Sequence, residues 1–222
     1  MNNHVIYVGH RGGRMYGAVE NTKEAFISGA KAGCKALECD VRITKDGVLI
    51  ISHDPDLKRL TEYEGTPNEI NVNNVTFDEI KDIKLTQVNP NNVGTGYICT
   101  FAEYLQICKD YDVVPVIEFK WTNGIYSSND NFENANYSNL DGLVEKIYNH
   151  NLQDTAVIMT SMIGCLLYVK EKYPNIKLQW LCYTRTKEFM QMIGEKGIDL
   201  DIQYSVLDEE VLENAKKYQQ LI

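Results

Sequence analysis

The sequence lacks three features that would place it in a specialised class of protein. No apolar run is long enough to cross a bilayer, and no basic stretch followed by an apolar one opens the chain. The 22 Lys and Arg residues are outnumbered by 31 Asp and Glu residues, giving a formal charge of −9. This balance argues against a general nucleic-acid binder, which needs a basic surface. We therefore expect a cytoplasmic protein without an integral membrane segment, whose oligomeric state the sequence leaves open.

Closely spaced cysteine pairs are also missing. The six cysteines show no Cys-x-x-Cys spacing, and several of them lie inside apolar runs. They are predicted to be reduced core residues rather than a disulfide framework. The 222 residues, 44% of them apolar, are enough for one substantial core. We predict a single domain over residues 1–222.

The chain does contain a regular alternation of strand-like and helix-like segments. A polar residue followed three positions later by Glu marks a helix start at Asn21 and at Thr100. Strict alternation of strands and helices predicts a parallel sheet. Six predicted strands, each followed by a helix, lie near residues 5–9, 36–43, 113–119, 156–160, 178–183 and 200–206.

Two long segments interrupt this alternation. The hairpin signal Lys45-Asp46-Gly47 predicts that Val48 to Ser52 returns antiparallel to the second strand. The polar segment 55–99, with one short helix at Thr76, is interpreted as an insertion. Residues of about 44–99 would then form a hairpin followed by an insertion, both lying over the C-terminal rim of the fold. Residues 121–138 are rich in Asn and Ser and are predicted to form a long loop.

The second and third long strands carry charged residues on one face. Alternate strand residues point to the same side, so Glu38, Asp40 and Arg42 share a face. In the next strand Glu118 and Lys120 do the same. Inward charges near the C-terminal ends of parallel strands favour a TIM-type barrel, whose site lies at that rim. An open doubly wound sheet is the alternative.

Three carboxylates on one rim form a candidate metal site. Glu38, Asp40 and Glu118 offer the oxygen donors that a hard divalent cation takes. Carboxylates this close repel each other, and burial raises the cost unless cations compensate. The alternative is an ion-pair network in which Arg42, Lys120 or Arg11 neutralises them.

Two histidines lie next to these carboxylates. His10 and His53 can take up or give a proton near neutral pH, as cleavage of a phosphodiester requires. A structural, hydrogen-bonded histidine is the alternative for either one, and His4 and His150 are interpreted as surface residues. Arg11 is a candidate phosphate ligand, as is Lys120, although both could instead pair with carboxylates. The glycines at 9, 12 and 13 fit no nucleotide-binding fingerprint and indicate a close backbone approach.

Taken together, these stretches resemble the glycerophosphodiester phosphodiesterase family. The similarity is specific because several short motifs occur in order between residues 9 and 120; beyond that only the strand–helix rhythm matches. The matching stretches are Gly9-His10-Arg11-Gly12, Glu20-Asn21-Thr22, Glu38-Cys39-Asp40-Val41, Thr44-Lys45-Asp46-Gly47, His53-Asp54, Leu57-Lys58-Arg59-Leu60-Thr61 with Gly65, and Glu118-Phe119-Lys120.

The resemblance implies an α/β fold, a TIM-type (β/α)8 barrel with a small insertion after the second strand. It implies hydrolysis of a glycerophosphodiester to glycerol 3-phosphate and an alcohol, with Ca²⁺ or Mg²⁺. A related phospholipase, of phosphatidylinositol or sphingomyelin type, and a non-catalytic barrel that binds phosphate esters are the alternatives. The roles it implies are metal ligation by Glu38, Asp40 and Glu118, acid–base catalysis by His10 and His53, and phosphate binding by Arg11 and Lys120.

The sequence also departs from the family pattern. Val19 replaces the proline usual before Glu-Asn-Thr, and Met162 replaces a usual Phe after Ser161. The family normally continues through two further strands, with motifs resembling Trp-Thr-Val-Asn and Asp-Gly-Ile-x-Thr-Asp, which are absent before Ile222. We therefore expect a barrel truncated after about six βα units, with the last two missing.

Overall fold

A computed structural model describes residues 6–13, 17–89, 92–120, 137–183 and 187–221 of the chain. The strands are β1 (Val8–Gly9), β2 (Ala36–Ile43), β3 (Leu49–Ile51), β4 (Leu85–Asn89), β5 (Asn92–Gly96), β6 (Cys99–Thr100), β7 (Val114–Phe119), β8 (Val157–Thr160), β9 (Lys177–Cys182) and β10 (Asp199–Ile202). The helices are α1 (Lys23–Lys31), α2 (Phe77–Ile80), α3 (Phe101–Asp110), α4 (Ser138–Asn149), α5 (Ile163–Lys172), α6 (Lys187–Glu195) and α7 (Glu209–Tyr218).

Six parallel strands form the main sheet in the order β1-β2-β7-β8-β9-β10. Each is followed in the chain by a helix, with the insertion between β2 and α3, so the predicted alternation is confirmed. The register aligns Asp40 with Glu118, Glu118 with Met159, and Met159 with Gln179. Side chains from four strands therefore point inward at one level.

The sheet is curved around a cavity of about 790 Å³. Its outer face is buried under the helices, as Leu37, Ile117 and Leu178 show. Its inner face opens onto the cavity, and all six parallel strands contribute to it. This curvature is that of a TIM-type barrel. It supports the predicted barrel over the alternative, an open doubly wound sheet. Inner residues that line the cavity include Val8, Glu38, Val116, Met159, Leu181 and Asp201.

The hairpin after β2 is confirmed. Strand β3 runs antiparallel to β2 with Val41 opposite Ile51, and β6 then pairs with β3. Both β1 and β3 use the same edge of β2, β1 at its N-terminal half and β3 at its C-terminal half. This arrangement brings the residues that follow β3 to the rim where β2 ends.

The predicted start of the first helix is wrong by one residue. Thr22, not Asn21, is the N-cap of α1, and its hydroxyl accepts a hydrogen bond from the Ala25 amide. Asn21 has a left-handed backbone (φ 59°), and its side chain bonds Asp40 instead. Local pattern could not distinguish the two because both residue types favour N-caps. The Thr100–Glu103 capping box is confirmed.

The insertion is more structured than its composition predicts. Helix α2 begins at the predicted Thr76–Glu79 capping box. Strands β4 and β5 form an antiparallel hairpin that the polar sequence did not indicate. A second apolar cluster holds this region on the barrel: Val19, Ile50, Leu57, Ile70, Val72, Ile80, Leu85 and Ile98.

The cysteines are reduced and mostly in the core. All six cysteines are free, and all but the half-buried Cys34 are buried, as predicted for reduced core residues. Among the described residues no helix is long and apolar enough to cross a membrane. Residues 121–136 of the predicted long loop and His4 lie outside the described part of the chain.

Candidate active site

Strands β2 and β7 bring three carboxylates together at the C-terminal rim. One oxygen each from Glu38, Asp40 and Glu118 lies within 4.8 Å of the others. Asp40 is 1% exposed and Glu38 4% exposed, so the cluster is largely shielded from water. Burying like charges is costly without compensating cations.

Lys120 supplies one such cation. Its ammonium nitrogen lies 3.0 Å from Asp40 Oδ1 and 2.6 Å from Glu118 Oε1. Asn21 donates a hydrogen bond to Asp40 Oδ2 at 2.7 Å. Asp40 Oδ1 is buried, and among the described residues its contact with Lys120 is an ion pair rather than a well-aligned hydrogen bond. Three close carboxylates, one with such an oxygen, make a donor set that could hold a hard divalent cation.

The three carboxylates differ in their affinity for protons. Burial, followed by the charge of Asp40, raises the pKa of Glu38 to about 8. Burial also raises the pKa of Glu118, although the hydrogen bond from Lys120 opposes this. Burial acts in the same direction on Asp40, but Lys120 and the Asn21 hydrogen bond outweigh it and lower that pKa. The raised pKa values of Glu38 and Glu118 show that the charged form of these carboxyls is unfavourable where they lie, a penalty that an added cation would relieve.

Arg11 lies on a strained turn directly after β1. Its φ and ψ are 52° and 35°, a left-handed conformation that costs energy for a residue with a side chain. In this conformation its amide donates to Glu38 Oε2 at 2.8 Å. Its guanidinium lies 2.9 Å from Glu20 Oε1, while Nε is 3.4 Å from Asp40 Oδ2. The turn thus aims both the backbone and the side chain of one residue at the carboxylates.

Gly12 makes this turn possible, as its predicted role requires. It has φ 91°, and a Cβ at this position would lie 2.8 Å from the Phe26 amide nitrogen. The turn therefore packs directly on the backbone of α1, where only glycine fits.

The two predicted histidines flank the cluster in different settings. His10 has a side chain that is 64% exposed, with Nε2 3.9 Å from Glu38 Oε2. His53 is half-buried, and its Nδ1 lies 2.8 Å from Asp54 Oδ1. Arg42 donates to the His53 carbonyl at 3.0 and 2.7 Å and so helps to hold the backbone that carries this histidine. Both histidines line the cavity.

Asp54 determines how the His53 ring is oriented. Burial would raise the pKa of Asp54, but hydrogen bonds from His53 and Arg59 outweigh it and lower the pKa. An ionised carboxylate only accepts, so His53 donates through Nδ1. That tautomer leaves Nε2 as the nitrogen able to accept a proton. His150, by contrast, bonds the Lys146 carbonyl at the end of α4.

Sequence reasoning assigned no catalytic or binding role to four residues at this site: Glu20, Asn21, Asp54 and Arg59. Glu20 bonds Arg11, Asn21 bonds Asp40, and Arg59 bonds Glu20 and Asp54. All four stand inside motifs that resemble the family. Those motifs were the available signal, because no local periodicity connects residue 20 with residue 59.

The opposite wall of the cavity is mainly apolar. Strands β8, β9 and β10 contribute Val157, Met159 and Leu181, with Gln179 and Asp201 as polar neighbours. Burial raises the pKa of Asp201. The chemistry-bearing groups and the apolar groups thus occupy different sides of one cavity.

Comparison with known proteins identifies the family. The model of the glycerophosphoryl diester phosphodiesterase family matches residues 10–218. This chain belongs to that family. It is 26% identical over 213 residues to a glycerophosphodiester phosphodiesterase from Caldanaerobacter subterraneus, covering 96% of this chain and 81% of the relative. The predicted family and its class of enzyme, a phosphoric diester hydrolase, are confirmed.

Solved structures agree on the fold. A Silicibacter pomeroyi protein superposes with a TM-score of 0.83 at 18% identity, covering all of this chain and 82% of that one. An Oleispira antarctica phosphodiesterase, determined with the product sn-glycerol 3-phosphate, has a TM-score of 0.75 at 20% identity and covers 97% of this chain and 82% of its own. At these identities the superpositions establish a shared fold, the predicted TIM-type barrel.

Proposed function

We propose that this chain hydrolyses glycerophosphodiesters to glycerol 3-phosphate and an alcohol, using a bound divalent cation and two histidines. The observation that carries the proposal is the convergence of three carboxylates within 4.8 Å of one another, beside two histidines, on one cavity. A purely structural ion-pair network would not need two histidines facing the same space.

Glu38, Asp40 and Glu118 would hold the cation. All three are oxygen donors, which suits Ca²⁺ or Mg²⁺. When bound, such a cation withdraws negative charge from the phosphoryl oxygens as the reaction proceeds. The bridging ammonium of Lys120 is on a long, flexible side chain, so it can turn from the carboxylates towards a phosphate.

Arg11 and Lys120 are the proposed phosphate ligands. Both side chains are mostly buried at the rim and both contact Asp40. Arg11 offers a planar fork that can bind two oxygens, and Lys120 offers a point charge. They would position the phosphodiester between the two histidines.

His53 is suited to act as the base. Its proton on Nδ1 is committed to Asp54, so Nε2 would accept the proton of the neighbouring glycerol hydroxyl as that oxygen attacks phosphorus. His10, close to the Glu38 carboxylate, would carry a proton and give it to the departing alkoxide. One phosphorus–oxygen bond forms and another breaks, and the cyclic ester that results is then opened by water with the histidine roles reversed.

Measuring released glycerol 3-phosphate from a panel of glycerophosphodiesters tests this proposal. We expect turnover of at least one, such as glycerophosphocholine, with no comparable cleavage of phosphatidylinositol or sphingomyelin. Preferred cleavage of either lipid would instead support the related phospholipase. Binding of the panel by calorimetry without any turnover would support the non-catalytic barrel.

A further inference from the structure

Glu20 is a fully buried carboxylate that contacts no reacting group directly. Its side chain has 0% exposure, and its Oε1 accepts from Arg11 at 2.9 Å and from Arg59 at 2.5 Å. Gln87 donates to Oε2 at 2.8 Å and accepts from the Glu20 amide at the same distance. Burial would raise the pKa of Glu20, but Arg59, Gln87 and Arg11 together lower it to about 2. Glu20 is therefore a permanent anion with three defined partners.

Two of those partners come from the insertion. Arg59 lies in the short turn Lys58–Leu60, and Gln87 lies in β4. Both are more than 35 positions from Glu20 in the chain, being separated from it by 39 and 67 residues. The insertion thus reaches across the rim to the segment that precedes α1.

Close packing fixes the β4–β5 hairpin on that segment. A Cβ on Gly94 would lie 2.5 Å from the Gly17 carbonyl oxygen and 3.0 Å from the Ala18 carbonyl carbon. Asn89 also donates to the Ala18 carbonyl at 3.4 Å. Since Gly94 permits an approach that a side chain would prevent, the hairpin is held directly against the backbone leading to Glu20.

Arg11 depends on this arrangement for its orientation. Its strained backbone fixes where the side chain starts, and its buried Nε has only the looser 3.4 Å contact with Asp40 among the described residues. The shorter hydrogen bond from Nη1 to Glu20, at 2.9 Å, therefore fixes the outer end of the guanidinium fork. The same Arg59 that holds Glu20 also donates to Asp54, which orients His53.

We infer that Glu20 is a positioning residue for Arg11, and that the insertion, through Gln87 and Arg59, holds Glu20 in place. This inference rests on the proposed function, in which Arg11 binds phosphate. It gives the segment 55–99 of the insertion a role in catalysis although Gln87 and Arg59 need not touch the substrate. Misplacing a phosphate ligand by about 1 Å can cost about a hundredfold in rate.

The test is a double-mutant cycle in the full, metal-loaded chain. Glu20→Gln should lower kcat/KM for glycerophosphocholine by about 10- to 100-fold. Gln87→Leu, which removes both hydrogen bonds to Glu20 from a half-buried position, should lower it by about 5- to 10-fold. In an Arg11→Met background, either change should cost less than about twofold more, because the group being positioned is gone.

A purely structural role would give a different result. Full additive losses in the Arg11→Met background would overturn the inference, as would wild-type kinetics in Gln87→Leu. Arg59→Lys should retain more activity than Arg59→Met, since it keeps a charge near Glu20. Gln106→Leu is the matched control, because Gln106 bonds only Asp110 on the exposed face of α3 among the contacts described; it should behave as wild type.

Measurements of ligand binding distinguish a failure of this inference from a failure of the proposed reaction. Calorimetry with sn-glycerol 3-phosphate should show weaker binding by Glu20→Gln and Gln87→Leu than by wild type, whether or not turnover occurs. Absence of turnover with intact, Glu20-dependent binding would contradict the proposed reaction alone. Turnover with binding unaffected by both changes would contradict the inference alone. If Glu20→Gln fails to fold, Gln87→Leu carries the same comparisons.

Discussion

The two sides of the barrel rim have opposite characters. The charged half, formed by β1, β2, β7 and the residues after β3, carries the three carboxylates, both histidines and their basic neighbours. The apolar half, formed by β8, β9 and β10, presents Val157, Met159 and Leu181 to the same cavity. Groups that can transfer protons or hold a cation are concentrated in the charged half. The apolar half offers mainly apolar surface that lines the cavity.

At several positions of the two halves, burial does not follow hydropathy. Asp40 and Glu38 are buried, whereas the apolar Val157 and Leu181 are only half-buried. Carboxylates stay buried because cations and amides surround them, and apolar side chains stay partly open because the cavity lies in front of them. From this contrast we propose that the charged half is preorganised for chemistry and that the apolar half contacts substrate.

Among changes in the charged half, removal of a proton-transferring histidine should lower activity the most. His53→Ala should lower kcat for glycerophosphodiester cleavage by about a thousandfold, because a base contributes about 10²- to 10⁴-fold. Steady-state kinetics with calorimetry of glycerol 3-phosphate would measure this, and binding should change only a few-fold. His150→Ala, a histidine bonded to a helix-end carbonyl, is the control. A variant of His53 with a tenth of wild-type activity would exclude it as the base.

Removing a carboxylate should weaken the cation site next. Glu118→Gln keeps the side-chain shape but removes one charged oxygen donor, so affinity for Ca²⁺ or Mg²⁺ should fall by about 10- to 100-fold. Titration calorimetry on metal-free protein would measure the change. Glu171→Gln, on the exposed face of α5, should bind as wild type. Equal affinities for all three proteins would place the cation elsewhere.

Changes in the apolar half should affect binding rather than chemistry. Leu181→Ala removes apolar surface facing the cavity, so KM should rise by about 3- to 10-fold while kcat stays within about twofold. Leu212→Ala, at a half-exposed position on α7, provides a matched loss of volume away from the cavity. A large fall in kcat for Leu181→Ala would contradict the assignment of binding to the apolar half and of catalysis to the charged half.

The smallest expected effect concerns stability and pH. In metal-free protein the pKa of Glu38 is raised to about 8 from its ordinary value near 4.5, so the folded state holds a proton that the unfolded state has lost. Stability should therefore decrease by several degrees in Tm as pH rises from about 4.5 to 8. Thermal unfolding should show this decline in wild type and a smaller one in Glu38→Gln. Identical slopes would exclude Glu38 as the titrating group.

The sequence predicted what local patterns encode. Alternation in β2 placed Glu38 and Asp40 on one face, and the register with β7 then brought Glu118 beside them. The hairpin at Gly47 brought His53 to the rim as predicted. These features follow from the two-residue period of side-chain direction in a strand and from the residue types that favour a hairpin turn. Both are properties of residues that are adjacent in the sequence.

Contacts between distant segments were not predictable in the same way. Nothing near Glu20 indicates that Gln87 will bond it, and the Asn-rich composition gave no sign of the β4–β5 hairpin. The shift of the helix cap from Asn21 to Thr22 has the same origin, because Asn21 is recruited by Asp40. Tertiary partners thus overrode local preference at the positions that shape the site.

The most direct test of the proposed metal-assisted reaction is release of glycerol 3-phosphate from glycerophosphocholine by protein stripped with EDTA, before and after Ca²⁺ or Mg²⁺ is restored. We predict that activity is lost on stripping and returns with one of the two ions in wild type, but returns poorly in Glu118→Gln. Full activity of the stripped protein, or equal restoration in the variant, would contradict a cation held by Glu38, Asp40 and Glu118.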